Sequence, residues 1–124
     1  MKKLMVAVIG GLDAPAAAVS ELVLTDLSAA TGGRYTPTVE VDGARTTYAI
    51  QGGWWYRGEY TIEPDDQGGT RFTHRVYNVA SWMRWAVPLA NKGFVGFRET
   101  TRRGIKAQLD RLGERLACRT WLES

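Results

Sequence analysis

The segment from Leu89 to Leu116 constrains the fold more than any other. Phe94, Phe97, Thr101, Ile105, Gln108, Leu109, Leu112 and Leu116 recur at steps of three and four, the period of one face of an α-helix. Arg98, Glu99, Arg102, Arg103, Lys106, Asp110, Arg111, Glu114 and Arg115 fill the other face. A helix this long and this two-faced needs an apolar surface to lie on. The middle of the chain supplies one as a run of β-hairpins rich in aromatics. The expected architecture is α+β, a curved antiparallel β-sheet wrapped around a long C-terminal α-helix with a cavity between them.

A chain of 124 residues reads as a single domain, 1–124, long enough to build a core without metal or disulfide staples. No apolar run approaches the roughly 20 residues of a membrane span, so stable membrane insertion is not expected. Met1 to Ile9 reads as a first strand rather than a signal peptide, because its apolar part stops at Gly10-Gly11 and a helical pattern follows Pro15. One cysteine, Cys118, allows no internal disulfide and points to the reducing cytoplasm. A single histidine, His74, far from that cysteine in sequence, argues against a metal site. Neither phosphate-binding glycine motif is present, so no nucleotide cofactor is expected.

Along the chain, Lys3 to Ile9 reads as a strand ended by Gly10-Gly11-Leu12. Asp13 is a candidate N-cap with Pro15 in the first turn of a helix reaching about Ala29. Arg34 to Val41 and Ala44 to Gln51 flank Asp42-Gly43, a strong hairpin signal. Trp54 to Glu63 and Thr70 to Val79 flank the longer loop Pro64 to Gly69. Ser81 to Val87 is a further apolar piece, strand or irregular, and Cys118 to Ser124 reads as a frayed tail.

Alternation assigns the faces. Arg57, Glu59, Glu63, Arg71, Thr73 and Arg75 point outward. Tyr56, Gly58, Tyr60, Ile62, Phe72, His74, Val76 and Asn78 point inward. Pairing Ile62 with Phe72 sets Tyr60 opposite His74 and Tyr56 opposite Asn78. Tyr48, Ile50, Tyr35, Val39 and Val41 are expected inward as well.

The order of elements, together with Leu12-Asp13-Ala14-Pro15 opening a helix that ends Leu24-Thr25-Asp26-Leu27, and Gly58-Glu59-Tyr60-Thr61-Ile62-Glu63-Pro64 followed by Gly68 to His74, resembles the START-like superfamily. That group is also called SRPBCC, polyketide cyclase/dehydrase and lipid transport, or Bet v 1-like. The resemblance implies a helix-grip fold around an apolar cavity and a small hydrophobic ligand. It carries over no universal catalytic residue. The chain departs from the pattern by passing almost directly from Ala29–Gly33 into a strand, where members commonly carry a second short helix.

The ligand-binding residues expected for a lipid or polyketide-like molecule are Tyr48, Tyr56, Tyr60, Phe72, His74, Asn78, Phe94, Phe97, Thr101 and Ile105. Two other readings stand beside this one. In the first, a cyclase- or dehydratase-type enzyme uses His74 to move a proton and Tyr60 to polarise an oxygen; a wall histidine bonded to Tyr60 is the plainer account. In the second, the chain is a protein-interaction module. Adjacent Trp54 and Trp55 cannot both face inward on a regular strand. An exposed one near Trp82 and Trp85 would make an apolar patch, either a homodimer surface or a cavity rim. The basic stripe from Arg98 to Arg115 reads as a solvated helix face rather than a nucleic-acid surface. Asp65-Asp66 reads as a turn, not a metal corner. Thr101 and Gln108 on the inner helix face each need a polar partner.

Overall fold

The computed structural model describes residues 3–30, 37–52, 56–79 and 97–123. It is α+β. Six strands and two helices follow in the order β1 (Lys3–Leu12), α1 (Ala16–Ala30), β2 (Thr38–Asp42), β3 (Arg45–Gly52), β4 (Tyr56–Pro64), β5 (Thr70–Asn78), α2 (Phe97–Leu116) and β6 (Thr120–Leu122). The strands form one curved antiparallel sheet in the order β2-β3-β4-β5-β1-β6. The expected apolar piece Ser81 to Val87, the start of the C-terminal helix from Leu89, Tyr35, and Trp54, Trp55, Trp82 and Trp85 lie outside the described residues. Among the described residues no helix is long and apolar enough to cross a membrane.

The hairpin of β4 and β5 has the register that alternation predicts: Ile62 pairs with Phe72, Tyr60 with His74 and Tyr56 with Asn78. Its loop is fixed by Asp65, whose carboxylate accepts the N–H groups of Gln67 at 2.7 Å and Gly69 at 2.8 Å. That side chain serves the turn, and among the described residues no cluster that would hold a metal is present. The first hairpin differs by one position from the expected loop. Asp42 pairs with Arg45, so the two loop residues are Gly43 and Ala44, with Gly43 at φ 62°. A positive φ at the first loop position is the geometry of a II′ turn, and glycine adopts it without strain.

Both helices lie on one face of the sheet. Val19, Val23 and Leu27 from α1 and Ile105, Leu109 and Leu112 from α2 join Val6, Val8, Leu12, Ile62, Phe72 and Val76 in a single buried cluster. Helix α1 starts two residues later than an Asp13 cap requires. The Pro15 carbonyl accepts the first helical bond, from the N–H of Val19 at 3.1 Å, while the Asp13 N–H donates to the Arg119 carbonyl at 2.9 Å. Thr70 anchors the same corner, donating to the Ala14 carbonyl at 2.6 Å.

Strand β1 does not stop at Gly10. It runs to Leu12 because its far edge is needed by β6, which pairs Gly10 with Leu122 and Leu12 with Thr120. The expected frayed tail is therefore the last strand of the sheet. Its approach depends on bare backbone. A Cβ on Gly11 would lie 2.3 Å from the Trp121 ring, and one on Gly10 would meet the Trp121 carbonyl at 2.6 Å. Helix α2 turns into this strand through a C-cap in which the Cys118 N–H donates to the Gly113 carbonyl and the Ala117 N–H to the Glu114 carbonyl. Ala117 sits at φ 53° in that cap, a position glycine usually takes.

At two places the exposure differs from what the face suggests. Val39 and Val41 share the face of Tyr48 and Thr46, their neighbours across the strand pair, but are 53% and 67% exposed. Strand β2 is an edge of the described sheet, with only β3 beside it. Thr73 lies on the outward face as expected yet is only 2% exposed. It pairs with Thr61, and these short side chains sit low among long ones such as the Arg57–Glu59 ion pair, 2.9 Å apart.

Candidate functional site

A cleft of about 290 Å³ opens between the inner face of the sheet and α2, at the helix's N-terminal half. The strands contribute Tyr56, Tyr60, His74 and Val76. Helix α2 contributes Phe97, Thr101, Gly104 and Ile105. The period of each element places them: Tyr56 and Tyr60 alternate on one side of β4, and Phe97, Thr101, Gly104 and Ile105 fall on one stripe of α2.

Of the ligand-binding residues expected from sequence, the structure brings Tyr56, Tyr60, His74, Phe97, Thr101 and Ile105 together on this cleft. Tyr48 is buried beside it and spent on α1, its hydroxyl 2.7 Å from that of Ser20. Phe72 is fully buried behind Tyr60, with ring centroids 6.1 Å apart. Asn78 is buried at the end of β5. Phe94 lies outside the described residues.

His74 and Tyr60 stack, ring centroids 4.3 Å apart and planes 24° apart. The Nδ1 of His74 is 3.2 Å from the Glu59 carbonyl oxygen. A carbonyl only accepts, so Nδ1 carries the proton and Nε2 is a bare lone pair. Burial pushes the His74 pKa down to about 4, against a small opposing effect of the Glu59 carbonyl. The ring is thus neutral near pH 7, with no imidazolium proton to donate there. The hydroxyls of Tyr56 and Tyr60 share a hydrogen bond, and burial raises both pKa values. For Tyr60 the Tyr56 hydroxyl and, last, the Asp26 carboxylate push the same way. Gly58 makes the tyrosine pair possible: a Cβ there would lie 2.6 Å from the Tyr56 hydroxyl oxygen, so the Tyr56 ring lies across bare backbone to reach Tyr60.

The rest of the rim comes from residues outside the expected set. Asp26 on α1 accepts from Gln108 Nε2 at 3.0 Å and from Arg111 at 3.3 Å and 3.1 Å. This gives Gln108, 5% exposed, the partner its burial requires. It also ties Arg111 to α1 while leaving it half-exposed on the solvated stripe; Lys106 and Asp110 form an exposed i,i+4 pair at 3.2 Å. One sequence signal for Asp26 exists: it is a carboxylate within the apolar stripe of Val19, Leu22, Val23 and Leu27. Gly104 has no such signal. A Cβ added to it would point into open space, with no neighbouring atom within 4 Å.

No protein-family model, curated protein or solved structure matches the chain.

Proposed function

We propose that the chain is a START-like, helix-grip binding protein that holds a small hydrophobic or amphipathic molecule in the cleft between the sheet and α2. The observation that carries the reading is the composition of that cleft: aromatic and aliphatic walls from Tyr56, Tyr60, Phe97 and Ile105 around a few polar tips, His74 and Thr101. Apolar walls supply affinity and polar tips fix orientation. At about 290 Å³ the cleft sits at the lower end of small-molecule pockets, roughly 300–1,000 Å³. A ring-sized or single-chain ligand suits it better than a diacyl lipid. The neutral His74 favours a binding role over acid catalysis.

The test uses Gly104. A Cβ there meets no atom within 4 Å, so a leucine would extend into the cleft, and replacing an interior helix glycine gains about 1 kcal/mol of helix propensity. Native mass spectrometry of the purified protein identifies any passenger, and titration with an apolar fluorescent naphthalene probe measures occupancy. Gly104→Leu is expected to abolish probe binding without lowering the unfolding midpoint. Undiminished binding by that variant would place the probe elsewhere and remove the cleft as the ligand site.

A further inference from the structure

His74 lines the cleft with its ring 3% exposed. Its two nitrogens have different surroundings. Nδ1, the ring nitrogen next to the side-chain attachment, is tied back to β4 through the Glu59 carbonyl. The stacked Tyr60 ring covers one face of the imidazole. Nε2 lies on the ring edge remote from the side-chain attachment. Among the described residues no hydrogen-bond partner accompanies Nε2, and none of their side-chain polar atoms is sealed from solvent without a partner. The lone pair therefore opens on the cleft.

We propose that His74 determines specificity in this cleft, its Nε2 selecting small uncharged ligands that present an O–H or N–H donor over otherwise identical molecules that lack one. This rests on the cleft being a ligand site. Before a ligand enters, Nε2 bonds to water. A ligand that displaces that water without replacing its hydrogen bond strips a buried acceptor of its only partner, a cost borne in full. A ligand hydroxyl restores the bond. The tyrosine hydroxyls already share a bond with each other, whereas Nε2 has no partner among the described residues. The preference for an uncharged molecule follows from the rim. Asp26 and Arg111, its ionised members among the described residues, already neutralise each other, so an ion entering the cleft finds no uncommitted counter-charge among those residues.

His74 is the sole histidine, so the ring nitrogens of ¹⁵N-labelled protein are assigned without ambiguity. Three probes of one shape separate the outcomes: naphthalene, 2-methoxynaphthalene and 2-naphthol. The free protein is expected to show the Nδ1–H tautomer. 2-Naphthol is expected to shift the Nε2 resonance and to bind about tenfold more tightly than 2-methoxynaphthalene, while the other two bind without moving that resonance. His74→Phe is expected to level the three affinities; the wild-type spectra decide the matter even if that variant fails to fold. Equal affinities with an unmoved Nε2 resonance, or an Nε2–H tautomer, would overturn the role of His74 and leave the cleft as a binding site. If no probe binds, or if all bind Gly104→Leu as they bind wild type, the site itself is wrong and this proposal falls with it.

Discussion

The imidazole of His74 lies against the ring of Tyr60 at 4.3 Å while its Nδ1 proton is held by the backbone one residue before that tyrosine, at Glu59. The ring is thus locked in plane and in tautomer by a single strand. Protonating it places a charge in a buried site against the Tyr60 ring. The folded state resists the proton until about pH 4, whereas an unfolded histidine takes it near 6.5. Between those values the unfolded chain binds more protons, so stability falls as pH drops from about 6.5 to 4, by up to about 3 kcal/mol. The difference between wild type and His74→Gln in urea midpoints across that window reads this term. Parallel curves would show that His74 does not carry it.

Gly58→Ala should uncouple Tyr56 from Tyr60. The added methyl occupies the path of the Tyr56 ring, which must swing off β4 and give up the shared hydrogen bond. We expect a loss of about 1–3 kcal/mol, and a Tyr60 hydroxyl that titrates closer to the ordinary tyrosine range. Ultraviolet titration of the phenols and a denaturation curve check both. An unchanged titration would mean that the ring has room to stay.

Asp26 and Arg111 should not be equal partners. Arg111→Ala removes a half-exposed guanidinium, an effect of about 1 kcal/mol or less. Asp26→Ala also strands the Gln108 amide, which is 5% exposed, and should cost about 1–3 kcal/mol. Urea denaturation of the two variants ranks them. The reverse order would place the stabilising contact with the arginine rather than the glutamine.

Ala117→Gly should stabilise the fold. The alanine holds a positive φ at the end of α2, where glycine escapes a steric cost of about 1–2 kcal/mol but loses more unfolded-state entropy. The expected net gain is about 0.5–1 kcal/mol in the unfolding free energy. A loss would show that the alanine methyl packs well enough to outweigh its backbone strain.

The parts of the fold legible in sequence are those set by local periodicity. The β4–β5 register follows from alternation around one loop, and the inner face of α2 from its spacing; Ile105, Gln108, Leu109 and Leu112 are buried as that spacing predicts. The parts that are not legible depend on encounters between distant segments. Thr120-Trp121-Leu122 is too short to announce a strand, and it becomes one only because Gly10 and Gly11 expose bare backbone to it. The Asp26–Arg111 bridge joins two helices whose own patterns assign each residue only to a face. In the cleft, the strand aromatics are legible by alternation. Tyr48 is not distinguishable from them, because its turn toward Ser20 is a choice of partner rather than of face.

The strand order has a kinetic consequence. Strand β1 carries Val6, Val8 and Leu12 into the core, yet its neighbours are β5 and β6, with Leu12 paired to Thr70 and to Thr120. A ribosome adding about 5–20 residues per second releases β1 several seconds before either partner exists. Pairings this distant in sequence also carry the loop-closure cost that slows folding. Strand β1 is made well before the strands that seal it, and in that interval the newborn chain holds an apolar strand with two open edges.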